Sequence, residues 1–143
     1  DEMLDGTFFG KTGPVRAPLF QFADTKYAKG SGTRSYQIDV YAREKPKGGH
    51  IWACECKYTK TKMGIRMVKK LENAAEALKQ EARDAEQAVP EIQLWLISTG
   101  GFTGEVLEYV RERADILSSD DEGINSIFRA YGGNYDIPVF KDA

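Results

Sequence analysis

Hydrophobic positions recur along this chain at two spacings, and the change from one to the other divides it into elements. From Arg34 to Arg43, Tyr36, Ile38, Val40 and Ala42 alternate with polar or amphipathic residues, the period-two pattern of a half-buried strand. Lys45-Pro46-Lys47-Gly48-Gly49 has the composition of a turn and joins that strand to a second, His50 to Tyr58, as an antiparallel hairpin. The period then lengthens. Ile65, Val68, Leu71, Ala75, Leu78, Ala82 and Ala85 recur at three- and four-residue steps, which predicts an amphipathic helix from Met63 to about Ala88, stopped by Pro90. Ile92 to Ser98 is a mostly apolar strand suited to the middle of a sheet, so strand, helix and strand imply a parallel crossover.

Beyond it, Gly100 to Gly104 read as a turn rather than a nucleotide cradle, and Thr103 caps a helix from Glu105 to Arg113. A short strand, Asp115 to Ser118, follows. Ser119 or Asp120 caps a last helix with Ile124, Ile127, Phe128 and Tyr131 on its apolar side, ended by Gly132-Gly133. Pro138 confines Ile137 to Phe140 to an edge strand. Residues 1 to 30 carry only short extended pieces, Phe8-Phe9, Val15 and Leu19 to Phe22, broken by Gly10, Gly13, Pro14 and Pro18, with Gly30-Ser31-Gly32 as a turn. Gly10-Lys11-Thr12 is no phosphate loop, because Asp5 stands where that motif needs glycine and Pro14 blocks the helix that must follow.

Length changes this picture little: 143 residues suit one α/β domain over 1–143 with a single main core. No apolar run approaches the roughly 18 residues of a membrane span, and Asp1-Glu2-Met3-Leu4-Asp5 lacks the pattern of a secretory signal. A cytoplasmic, intracellular protein is the expectation, and a start at Asp1 rather than Met points to processing or to excision from a longer protein. Cys54 and Cys56 share one strand face, where a bridge between them is strained, so reduced thiols are expected. With His50 as the sole histidine and no second cysteine pair, a structural zinc lacks ligands.

Net charge is −2, yet the charge is polarised. Residues 45–70 hold eight basic side chains (Lys45, Lys47, Lys57, Lys60, Lys62, Arg66, Lys69 and Lys70) against the single acid Glu55, a net of +7. Residues 71–122 hold four basic and thirteen acidic residues, a net of −9. A lysine-rich helix face is often merely solvated, but here the basic block surrounds an acid embedded in an apolar strand, which favours phosphate binding. Successive strand side chains point to opposite faces, so Glu55 and Lys57 share one while Trp52, Cys54 and Cys56 take the other, and the hairpin brings Asp39 alongside Glu55. Two carboxylates, a backbone carbonyl and water make a hard oxygen site for Mg2+ or Mn2+, able to activate water against a phosphodiester. A salt-bridged cluster at a sheet end is the bland alternative, and the three residues together outweigh it.

Ile38-Asp39-Val40, then Glu55-Cys56-Lys57, then a long amphipathic helix and an apolar strand ending Ser98-Thr99-Gly100, resemble the PD-(D/E)xK nuclease superfamily, the restriction-endonuclease-like proteins, over residues 34–118. The resemblance implies a mixed β-sheet of four to five strands flanked by α-helices. It implies that Asp39 and Glu55 bind Mg2+ or Mn2+ with the Cys56 carbonyl, and that Lys57 orients the attacking water or stabilises charge on the phosphate. Two departures stand out. Ile38 replaces the motif's proline, and no helix in residues 1–30 offers the additional upstream acid, unless the terminus folds back to bring Glu2 or Asp5. Lys60, Lys62, Arg66, Lys69 and Lys70 are expected to contact backbone phosphates rather than bases, since no base-reading motif accompanies them. Tyr58 is expected as half-buried packing more than as a base-stacking ring.

The expected function is metal-dependent endonucleolytic hydrolysis of DNA. Two alternatives share the site: an inactive module of the same fold that binds nucleic acid or protein, and a nuclease domain active only within a larger helicase, ATPase or defence protein. A homodimer or a larger parent protein fits double-strand cleavage by a one-site domain, and the sequence leaves that choice open, together with DNA against RNA.

Overall fold

The computed structural model describes residues 2–29 and 35–131. Its centre is a mixed five-stranded sheet in the order β3 (Phe22–Lys29), β4 (Ser35–Arg43), β5 (His50–Lys57), β6 (Glu91–Ser98) and β7 (Ile116–Ser119). β3, β4 and β5 pair antiparallel, whereas β5, β6 and β7 run parallel. Antiparallel neighbours need only turns, but each parallel step needs a crossover, supplied by α1 (Ile65–Asp84) and α2 (Gly104–Arg111). Both helices cover one face, burying Val68, Leu71, Leu78, Val106 and Val110 against Ile38, Ile51, Ala53, Leu94, Leu96 and Ile116. On the other face Trp52, Ala42 and Leu117 meet Phe9 and Val15, with Ile127 of α3 (Asp121–Tyr131) packed alongside. The expected mixed sheet with helices on both sides is therefore present, and the parity of β5 is as the sequence implies.

Three expectations need correction. Phe8-Phe9 is not extended: Gly6–Phe9 forms a single 3-10 turn, capped by Asp5, whose carboxylate accepts from Thr7 N at 3.0 Å, and closed by Gly10 in the left-handed region at φ 73°. The residues after Pro18 do not remain a short piece, because β3 is a full eight-residue edge strand; β1 (Glu2–Leu4) and β2 (Val15–Ala17) pair separately as a small antiparallel ribbon. Finally, α1 stops at Asp84, well short of Pro90. There Glu86 takes a left-handed backbone (φ 55°), so Glu86 N reaches Arg83 O and Gln87 N reaches Ala82 O, closing the helix where glycine usually does so. Arg34, the Gly30 to Gly32 turn, Gly132-Gly133 and the Ile137 to Phe140 strand lie outside the described residues.

Lys11 has a structural task. Its ammonium donates to Val110 O at 2.8 Å and Arg113 O at 2.6 Å, at the carboxyl end of α2, where carbonyls lack helical partners and the dipole favours a cation. Burial pulls its pKa down, and the nearby Asp115 opposes this. Lys11→Met is expected to lower stability by about 1.5–3 kcal/mol, the range for hydrogen bonds to a charged group, read from urea unfolding. An unchanged midpoint would contradict this capping role.

Candidate active site

The two strands of the β4–β5 hairpin separate where the candidate acids lie. Paired residues run from Arg43↔Ile51 to Val40↔Cys54, and Asp39 comes next on β4. On its other side β4 carries one extra residue relative to β3, between the pairs Asp24↔Tyr41 and Lys26↔Ile38. Such a bulge leaves a residue without a ladder partner and re-aims its neighbours. It also breaks the simple alternation read from Arg34 to Arg43: Ile38 and Tyr41, three apart, face the α1 core, while Ala42 faces the opposite one and Val40 is partly exposed. Thr25, opposite the bulge, donates its hydroxyl to the Asp39 carbonyl at 3.0 Å.

The Asp39 carboxylate crosses to β5. Its Oδ2 accepts from Cys56 N at 2.9 Å, beyond the last β4–β5 pair, and Gln37 Nε2 donates to Oδ1 at 3.4 Å. A strand residue's N–H and C=O point to the same neighbouring strand, and successive residues alternate. Lys57 O faces β6, where it accepts from Thr99 N at 3.1 Å. Cys56 N–H faces Asp39, so the Cys56 carbonyl opens toward the same splayed gap. Two carboxylates and a carbonyl oxygen thus lie at one end of the hairpin.

Glu55 is only 6% exposed, although it is a carboxylate. Burial raises its pKa first and Asp39 raises it further, while Lys57 and Lys70 pull it back. Lys57 Nζ lies 4.0 Å from Glu55 Oε1, an ion pair at the limit of direct contact. Two ionised acids side by side in a desolvated position repel unless cationic charge sits between them. Ser98, the register partner of Lys57 on β6, is fully buried with a hydroxyl that finds no hydrogen-bond partner among the described residues. Past the strand ends, Thr59 N donates to Thr99 Oγ1 at 2.9 Å, and a Cβ on Gly100 would collide with the carbonyls of Thr59 and Thr61. This close approach fixes the backbone that carries Lys57.

A donor set of two carboxylates and one carbonyl is chemically suited to a small hard cation completed by water and phosphate oxygens. Among the described residues no group of three or more His, Cys, Asp or Glu gathers, so no all-protein cage exists. Thiolate ligation is disfavoured: Cys54 and Cys56 are free, and burial with the neighbouring Asp39 pushes both thiols up, Cys56 to about 11. Asp5 is committed to capping the 3-10 turn, and Glu2 is exposed on the separate ribbon, so neither shows the fold-back that an additional acid requires.

Lys60, Lys62, Arg66, Lys69 and Lys70 are all exposed, on the loop after β5 and the first turns of α1. They differ in commitment. Lys69 Nζ donates to Tyr109 Oη at 3.0 Å and lies 3.6 Å from Glu72, within a network in which Arg113 and Glu72 also bind the Tyr109 hydroxyl. Lys70 instead acts on Glu55. Tyr58 is 58% exposed beside Lys57, more open than half-buried packing implies. Thr25, Gln37, Ser98 and the influence of Lys70 on Glu55 escape a sequence reading. Only Gln37, two residues before Asp39 on the same strand, carries a spacing signal.

The family model Mrr_cat, described as restriction endonuclease, matches residues 15–128. That span runs from β2 to α3 and contains Asp39, Glu55 and Lys57. Comparison with curated proteins gave no match, and neither did comparison with solved structures.

Proposed function

The chain belongs to the restriction endonuclease family matched over residues 15–128, and on that premise we propose that it is a divalent-metal-dependent endonuclease hydrolysing DNA phosphodiester bonds. One observation carries this reading: Glu55, an acid 6% exposed, lies beside a second acid with its pKa raised. A fold that only needed a strand there would gain by an apolar residue, so the charge has a use.

Asp39, Glu55 and the Cys56 carbonyl would hold Mg2+ or Mn2+, whose chemistry when bound is to lower the pKa of water and neutralise charge on the phosphate. Asp39 remains anchored at Oδ2 by Cys56 N, while Oδ1, which accepts only the long 3.4 Å bond from Gln37, would ligate the cation. Burial disfavours the charge of Glu55, which is shielded from bulk water, and a bound cation would offset that cost. Lys57, 46% exposed at the side chain, reaches out of the strand end, where its ammonium can hold the attacking water or a non-bridging phosphate oxygen. Water then attacks phosphorus and gives up a proton to solvent as the bond to the 3′ oxygen breaks, and the leaving oxygen takes a proton from solvent. Lys60, Lys62, Arg66 and Lys70 contribute phosphate contacts, strengthening binding at low salt without reading sequence, whereas Lys69 is held by Tyr109 and Glu72.

Mn2+ titration tests the ligand assignment. Asp39→Asn keeps an acceptor for Cys56 N but loses the charge. It is expected to weaken Mn2+ binding by at least about tenfold, the lower end of what even an outer-shell change costs a metal site. Equal Mn2+ affinity in wild type and variant would remove Asp39 from the ligand set.

A further inference from the structure

An open groove of about 490 Å³ runs between the start of β4 and the first half of α1. Tyr36 lies on the strand side, and Arg66, Lys69, Lys70 and Asn73 line the helix side. These four helix positions are spaced three and four apart, so they form one continuous face. The volume lies within the range of small-ligand sites and is ample for a single nucleotide. Tyr36 is half-buried, packed against the core, and also lines the groove.

The charges on the helix side are unequal. Lys69 is held by Tyr109 and Glu72, so it walls the groove more than it attracts a ligand. Among the described residues, Arg66 and Lys70 form no ion pair within 4 Å with a carboxylate. Lys70 is close enough to Glu55 to favour its ionised form, so one residue of the groove wall also acts on that acid. A cationic wall facing an aromatic ring is the combination that holds one nucleotide by both ends, phosphate on the cations and base on the ring. A paired base cannot lie on a ring in this way, because its faces are already stacked within the duplex.

We propose that this groove takes one unpaired nucleotide, its base stacked on Tyr36 and its phosphate between Arg66 and Lys70, so that the protein acts on single-stranded, gapped or base-extruded DNA in preference to continuous duplex. The proposal rests on the nuclease reading for the word "acts" and stands on the groove alone for binding. Tyr36 is a specificity-determining residue here and has no part in bond cleavage.

The test measures binding in EDTA, where no cleavage occurs, using oligonucleotides with 2-aminopurine either at an unpaired position or within full duplex. Tyr36→Leu keeps apolar packing and removes the ring; Tyr36→Phe keeps the ring. The expected results are quenching of unpaired 2-aminopurine by wild type and by Tyr36→Phe, and about five- to hundredfold weaker binding of the unpaired probe by Tyr36→Leu. Duplex binding should stay constant across all three. Wild-type affinity for the unpaired probe in Tyr36→Leu, or equal losses on both probes, overturns the groove. Intact groove binding without cleavage of any DNA under Mn2+ would overturn the nuclease reading and leave the groove standing.

Discussion

Replacing Glu55 by glutamine is expected to reduce metal-dependent cleavage by about a thousandfold or more, roughly the 4 kcal/mol of transition-state stabilisation a metal site supplies, while making the metal-free protein more heat-stable near neutral pH. The two effects have one cause. Burial and Asp39 both disfavour the Glu55 carboxylate, so the ionised group costs the fold stability. Glutamine fills the same volume without that charge and cannot ligate a hard cation as a carboxylate does.

The sign with pH follows. A carboxyl whose pKa is raised in the folded state adds stability that is fully present below its unfolded value, near 4.5, and lost as pH rises through the folded value. The gap in melting temperature between Glu55→Gln and wild type, measured in EDTA, should therefore be small near pH 4 and widen toward pH 7. Glu44 works the other way, since its bond to His50 lowers its pKa and its contribution fades as pH falls. It is common to both proteins and cancels in the difference. Metal affinity should weaken on acidification, because the cation must displace the proton that Glu55 retains above the usual carboxylate range. A glutamine variant less stable than wild type at every pH would refute the buried-charge cost.

Phe9→Ala is expected to cost about 3–5 kcal/mol, the range for emptying a large aromatic site in a core. Phe9 is 1% exposed and its ring lies 5.3 Å from Trp95 and 6.2 Å from Trp52, all within the layer opposite α1. Its 3-10 turn also supplies the Phe8 carbonyl that accepts from Ser119 Oγ at 2.7 Å, while Ser119 accepts from Trp95 Nε1 at 2.9 Å. The loss should thus loosen the β7 and α3 side while leaving the bond between Asp39 and Cys56 N intact. Urea unfolding followed by tryptophan fluorescence measures it. A cost below about 1 kcal/mol would mean that the site collapses freely around the missing ring.

That segment shows where sequence reasoning stops. Phe8-Phe9 favours strands by type, yet the local bond from Thr7 N to Asp5 and the left-handed Gly10 bend it into a turn, and residues distant in sequence, Trp52 and Trp95 among them, give Phe9 its burial. Where periodicity is long and uninterrupted, as along α1, or apolar and bounded, as in β6, pattern alone places the element. It fails where a backbone irregularity intervenes. The β4 bulge leaves no mark on the alternation of Tyr36, Ile38, Val40 and Ala42, and the left-handed Glu86 ends α1 without the glycine that would announce it.

The candidate site divides in the same way. Asp39, Glu55 and Lys57 stand out because charges interrupt apolar strands, and hairpin pairing brings the two acids to one end of the sheet. Thr25, Ser98 and Lys70 do not, since what distinguishes them is a setting that only the folded chain provides: the bulge carbonyl, full burial and the Glu55 charge. The family match covers β2, β3 and α3 as well, beyond the 34–118 core that the motif marks.

Cleavage of supercoiled plasmid and of an end-labelled single strand, in Mg2+ or Mn2+ and in EDTA, with wild type and Asp39→Ala purified identically, tests the metal-dependent nuclease most directly. Metal-dependent cutting by wild type that disappears in EDTA and in the variant is the predicted result. Equal cutting by both proteins, or none by either, would contradict it.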